Sequence, residues 1–190
     1  MYPAVGGIYR PLNASRVPAA ARHDKAVDAS GAGIKQASAD GVECTVTYFV
    51  SWDGPSAQQP KRGHEVAVST TAHVDAVLKQ VAAQAAIDEV PSAVQIHRPR
   101  HDGAIMIGVG HPTRSFIDWL DRSQPHGTGD RSAVDTDLPN IEQSIGFDVY
   151  GNWSEMPPPR TRITPQAARA AAHEYLETGQ RPTGVEWVSR

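Results

Sequence analysis

Three histidines near one predicted hairpin are the side chains best suited to metal chemistry. His97, His101 and His111 lie close together in the sequence, with Asp102 and Asp118 nearby. Imidazole and carboxylate groups that converge on one point can hold a metal ion and activate water for hydrolysis. The spacing matches no recognised zinc pattern, so exposed polar histidines are the favoured interpretation. A small metal-dependent hydrolase that uses this region is the alternative hypothesis.

Other residue patterns give no indication of catalysis. Gly108-Val109-Gly110 lacks the lysine and hydroxyl residue that complete a phosphate-binding loop, so these glycines are interpreted as the end of a strand. The serines, histidines and aspartates show no nucleophile elbow. We therefore expect a protein that is not an enzyme, and that needs neither a cofactor nor a metal ion.

Acidic residues are concentrated in one polar segment. The whole chain has a net charge of −3, but residues 118–148 contain seven acidic and two basic side chains. The acidic ones are Asp118, Asp121, Asp130, Asp135, Asp137, Glu142 and Asp148. The overall charge argues against direct nucleic-acid binding, which requires a basic surface. The segment is either a solvated, mobile loop or a surface for a basic partner.

Aromatic and polar residues near a Pro-rich loop form a second candidate surface. Tyr150, Asn152, Trp153 and Glu155 come just before Pro157-Pro158-Pro159. Tyrosine and tryptophan are common anchors of protein interfaces. The structural alternative, which we favour for Trp153, is that its indole covers one end of the core.

Periodicity predicts an α+β fold, with a mostly antiparallel sheet of about six to seven strands and two helices packed on it. Strands are predicted over 43–52, 65–69, 93–98, 103–109, 115–120, 147–150 and 183–188. One helix begins at Thr71. The other is capped by Thr164, begins at Pro165 and ends at Gly179, with an Ala-rich stripe that suits close packing on a sheet.

The domain organisation follows from composition. Residues 1–40 are rich in Ala, Gly, Ser and Pro and are predicted to be a flexible tail. Residues 41–190 are predicted to form a single domain with a long polar loop near 121–143. One cysteine, and no predicted signal peptide or membrane-spanning segment, suggest a cytoplasmic protein without membrane contacts.

An ordered set of segments carries a resemblance to a known family. They are Ala93–His97, Ala104–Gly110, Tyr150-Gly151-Asn152, Glu155-Met156-Pro157-Pro158, Thr178–Thr183 and Val185-Glu186-Trp187. Together they resemble the first family of bacterial polymorphic-toxin immunity proteins, here immunity family one, from about Val42 to Trp187. The departures are the N-terminal extension and the long polar stretch between Leu120 and Ile145.

The resemblance implies an antitoxin that binds and neutralises a cognate toxin by occluding its active-site cleft. Members of this family are typically associated with nucleic-acid deaminase toxins, so a deaminase is the first expectation and a nuclease the second. Four acidic residues are expected to mimic phosphates in the basic cleft of the toxin: Asp130, Asp135, Asp137 and Glu142. The remaining predicted contacts are Trp119, Asp148, Tyr150, Asn152, Trp153 and Glu155. A structural adaptor for another protein is a third interpretation.

Overall fold

The computed structural model describes residues 35–37, 43–53 and 63–189. These residues form eleven strands, two α-helices and two 3₁₀ turns. The strands are β1 (Lys35–Ala37), β2 (Glu43–Thr45), β3 (Tyr48–Asp53), β4 (Gly63–Val68), β5 (Ser92–His97), β6 (Gly103–Val109), β7 (Ile117–Asp121), β8 (Arg131–Val134), β9 (Ile145–Val149), β10 (Asn152–Met156) and β11 (Glu186–Ser189). The helices are α1 (Thr71–Asp88) and α2 (Pro165–Thr178), and the 3₁₀ turns are Pro125–Gly127 and Pro158–Thr161.

Nine strands form one sheet, in which β5 is the branch point. The order is β10-β9-β5-β6-β7-β8-β11, and the β3–β4 hairpin is added at β5. Strand β5 is antiparallel to β6 and β3, and it meets β9 in parallel where Ser92 pairs with Asp148. Strands β1 and β2 pair separately. The predicted α+β class is confirmed, with more strands than the six to seven expected.

One face of the sheet is covered by the two helices. Strand alternation directs Val94, Ile96, Ile105 and Ile107 to this face, where they join the main core with both helices. In α2, the Thr164 hydroxyl accepts a hydrogen bond from the backbone N–H of the third helical residue at 3.1 Å. The predicted cap, stripe and Gly179 terminus of α2 are confirmed. The alanines of the stripe allow the helix to lie close to the sheet.

A smaller core lies on the opposite face. Phe147 of β9 and Met156 of β10 pack with Ala93 and Phe116. Phe147 and Phe116 make an edge-to-face contact with ring centroids 5.0 Å apart. Because Ala93 and Phe116 each neighbour a residue of the main core in the chain, they point away from the helices. Phe147 and Met156 of the β9–β10 hairpin therefore contribute to a core on the face away from the helices.

The predicted polar loop near 121–143 needs correction, because it contains a strand. Residues Arg131–Val134 form β8, whose Ser132 and Ala133 are buried between β7 and β11. Strand β10 also occupies residues that were expected to belong to the Pro-rich loop. Both strands are short and polar, so their stability comes from pairing with neighbours, which periodicity alone does not reveal.

The predicted N-terminal tail, residues 1–40, lies outside the described residues except for Lys35–Ala37, which form β1. Among the helices that the structure describes, none is both long enough and apolar enough to cross a membrane.

Candidate functional site

The β9–β10 hairpin presents half of the predicted contact residues. Its turn residues, Tyr150 and Gly151, have φ angles of 53° and 74°, as in the mirror-image turns that suit two-residue hairpins. The Asp148 carboxylate closes this turn by accepting a hydrogen bond from the Gly151 N–H at 2.7 Å. Asn152 adds a second link by donating to the Tyr150 carbonyl at 3.2 Å. The hairpin is thus held in one shape by its own side chains.

Asp148 and Tyr150 have mainly structural contacts. Asp148 is 5% exposed, and burial, reinforced by the negative charge of Asp53, raises its pKa. The Tyr150 hydroxyl donates to the side-chain oxygen of Gln95 on β5, and burial raises the pKa of this phenol. The Tyr150 side chain thus links the hairpin to β5, whereas the Asp148 side chain orders the turn within the hairpin.

Trp153 is the most exposed aromatic residue among those that the structure describes, at 61%. Its indole lies across Gly146 of the paired strand, so closely that a Cβ on Gly146 would be 1.8 Å from the ring. The expectation that Trp153 covers the core is therefore wrong. Asn152 and Glu155 are also exposed on this hairpin, and alternation along β10 puts Glu155 on the same face as Trp153.

The acidic residues do not form one cluster. Asp130 and Asp135 lie at opposite ends of β8, about 16 Å apart at the usual rise of a strand. Each caps local backbone: Asp130 accepts from the N–H of Asp121, and Asp135 accepts from that of Asp137, both at 3.0 Å. Asp137 and Glu142 are exposed, whereas Asp130 and Asp135 are half-buried. The two exposed carboxylates, Asp137 and Glu142, thus lie in one segment between β8 and β9, whereas Asp130 lies before β8.

Arginines from the loop before α2 offset part of this acidity. Arg160 forms an ion pair with buried Asp118, which also accepts from the Ser132 hydroxyl at 2.7 Å. Arg162 donates to the carbonyls of Thr136 and Leu138 and so holds the segment after β8. Counting bases only within residues 118–148 missed both arginines, because they are distant in the sequence.

Trp119 does not lie at an exposed edge. Its side chain is half-buried on the helix side of the sheet and meets the ring of Tyr175 edge-on, with centroids 5.8 Å apart. Trp119 thus packs against α2, and its role as an anchor for a partner stays a prediction. Alternation along β7 places it on the same face as Ile117, which is fully buried.

The three histidines are not brought together. His97 stacks on Phe49 at the end of β5, and His101 lies in the following turn. His111 follows β6, whose seven residues span roughly 20 Å. Within the described parts of the chain, no group of three or more His, Cys, Asp or Glu side chains could hold a metal ion. The hydrolase hypothesis therefore loses its ligand set.

A cleft that sequence reasoning did not identify lies beside the hairpin. It has a volume of about 800 Å³ and is lined by Pro91, His111, Thr113, Arg114 and residues 140–146. Arg114 is only 9% exposed, and its buried Nη1 atom has no hydrogen-bond partner among the residues that the structure describes. An isolated arginine in a polar turn carries no pattern that would have singled it out.

The chain is similar to a known protein family over most of the described residues. The family model for immunity protein Imm1 matches residues 62–189, which include the hairpin, the cleft and both helices. Comparisons with curated proteins and with solved structures give no match. The match covers about two thirds of the 190 residues, although it begins later than the resemblance expected from Val42. The chain therefore belongs to the Imm1 family of immunity proteins.

Proposed function

We propose that this protein neutralises a cognate toxin by binding it directly, with the β9–β10 hairpin as part of the binding surface. Membership of an immunity family implies a toxin partner. The observation that supports the hairpin is Trp153, which is 61% exposed on a strand. A large aromatic side chain that is already fixed in place loses little conformational entropy when a partner covers it.

The proposed mechanism is stoichiometric occlusion without catalysis or cofactor. The hairpin and the neighbouring loops project exposed carboxylates, including Asp137, Glu142 and Glu155. A toxin that acts on nucleic acid needs a basic cleft for phosphates, and these carboxylates can occupy such a cleft. We propose a nucleic-acid deaminase as the toxin and a nuclease as the second possibility, on the basis of the resemblance to immunity family one.

The test is co-expression with the toxin domain encoded beside this chain, scored by survival and by co-purification. We expect rescue and a stable complex, and we expect Trp153→Ala to weaken toxin affinity by about tenfold to a hundredfold. Uracil in cellular nucleic acid after toxin expression would identify a deaminase, whereas strand cleavage would identify a nuclease.

Ile87→Ala is the matched control, because Ile87 is 75% exposed at the end of α1, outside the hairpin. It should bind toxin like the unmodified protein. Equal affinity of the Trp153 and Ile87 variants would remove the hairpin from the interface, and failure of the unmodified protein to rescue would remove the proposed function itself.

A further inference from the structure

The guanidinium of Arg114 is a buried cation with no counter-charge among the described residues. Its Nη1 atom makes no hydrogen bond, and the side chain takes part in no ion pair with the described part of the chain. Glu142 lines the same cleft, but it is exposed and does not pair with Arg114. A buried charge without a partner destabilises a folded protein. Arg114 therefore has unused capacity to bind an anion.

His111 adds a second donor to the cleft. Its Nδ1 accepts hydrogen bonds from the N–H groups of Thr113 and Arg114, at 3.3 and 3.0 Å. The ring proton of the neutral imidazole is therefore on Nε2, which can donate. Burial, followed by the positive charge of Arg114, lowers the pKa of His111 and keeps the ring neutral near pH 7. A guanidinium and an N–H donor in one cleft suit a carboxylate.

The position of the cleft indicates where that carboxylate comes from. Gly146 lines the cleft, and the exposed indole of Trp153 lies directly on Gly146. The proposed protein-binding aromatic residue thus contacts a lining residue of the cleft that contains Arg114, so it lies next to the cleft. Exposed aromatic anchors next to desolvated charge sites are typical of the strongest contacts in protein interfaces. A partner that covers Trp153 would also reach Arg114.

We propose that Arg114, together with His111, binds an Asp or Glu carboxylate of the cognate toxin when the toxin docks on Trp153. This inference rests on the proposed function and adds the chemistry of the partner residue. At this site a positive group of the immunity protein would bind a negative group of the toxin. In phosphate mimicry by the acidic loops, negative groups of the immunity protein would bind a basic cleft of the toxin. The interface would therefore match charges of both signs, which adds specificity to attraction.

The decisive variant is Arg114→Met, which keeps an unbranched apolar side chain similar in length to the aliphatic part of arginine and removes the buried charge. We expect toxin affinity to fall by at least about tenfold, while the Tm of the free protein stays equal or rises by a few degrees. Arg114→Lys should recover part of the affinity, since it retains charge without the planar fork. Arg100→Met is the control, because Arg100 is exposed at the β5–β6 turn. Unchanged toxin affinity of Arg114→Met, or a large fall in its Tm, would overturn the proposal.

A second measurement works without toxin. Succinate is titrated into the full chain while the Arg114 Nε–H resonance, assigned by its loss in Arg114→Met, is followed by NMR. A saturable shift supports a carboxylate site, and no shift overturns it. If Glu142→Gln alone moves this resonance, Glu142 fills the site in solution and the proposal fails. If succinate shifts the resonance but no complex with the toxin forms, the carboxylate site is supported. The toxin as its occupant and the proposed function would then both be refuted.

Discussion

At the residue scale, the hairpin contains a side chain that orders the turn at a cost to stability. Asp148 accepts from the Gly151 N–H at 2.7 Å, yet it is 5% exposed, and burial together with the charge of Asp53 raises its pKa. The ionised carboxylate is thus less favourable in the folded than in the unfolded chain. An asparagine can accept the same hydrogen bond without the charge.

Asp148→Asn is therefore expected to increase the free energy of unfolding by about 1 kcal/mol near pH 7. A raised pKa of an acid means that the folded chain binds its proton more tightly. Stability from this group falls as pH rises from the ordinary pKa of aspartate through the raised value. The advantage of the variant should shrink as pH is lowered through that window, and it should vanish below it. Urea unfolding at several pH values measures the difference, and a pH-independent difference would contradict the assignment.

At the element scale, the hairpin depends on a glycine that makes room for an indole. Gly146 does not have a positive φ angle, so a glycine is needed here for space and not for backbone conformation. A Cβ at this position would be 1.8 Å from the Trp153 ring. Trp153 pairs directly with Asp148 and reaches Gly146 diagonally across the two strands. The placement of Trp153 is thus determined by its neighbour.

Gly146→Ala should displace the indole while the hairpin still forms. We expect toxin affinity to fall by about tenfold, because Trp153 is no longer held next to the cleft. The indole N–H resonance of Trp153 should shift in the free variant. Gly184→Ala is the control, since its Cβ would be at an ordinary 3.5 Å from Glu174. A moved indole with unchanged affinity would show that binding does not need this fixed placement.

The same scale explains what could be predicted from sequence. Helix α2 was predictable because its cap, its Ala stripe and Gly179 are all local signals. Strand β8 was not, because Ser132 and Ala133 are buried through pairing with β7 and β11. Trp153 was named as a candidate but was expected in the core, since its exposure depends on Gly146. Arg114 was missed, because nothing in its sequence neighbourhood shows that its buried Nη1 atom has no hydrogen-bond partner in the described part of the chain.

At the scale of the whole molecule, the two faces of the sheet differ in what packs on them. Helices α1 and α2 seal one face, where the hydroxyl of buried Tyr175 donates to the Gly103 carbonyl at 2.7 Å. The other face has the smaller core, with Phe147 and Met156 of the hairpin and with Arg160 of the loop before α2 over Phe116, and β8 is followed by the acidic loop. Variation in these loops can change the partner without disturbing the helical core.

This separation leads to a prediction about charge. Asp137 is exposed in the loop after β8, and within the described parts of the chain its carboxylate accepts no hydrogen bond. Asp137→Lys should therefore slow association with a basic toxin by about threefold to tenfold at low salt, with little change in dissociation rate or Tm. Rising salt should remove most of the difference, because exposed charges are screened.

Glu177→Lys makes the same change in net charge on the exposed side of α2. Stopped-flow association at two salt concentrations compares the variants. If steering is local to the surface beside the hairpin, only Asp137→Lys slows association clearly, because exposed charges act strongly only within about one Debye length. Equal slowing by both variants would show that only the net charge of −3 matters. No slowing by either would leave Trp153 and the Arg114 cleft as the features that guide docking.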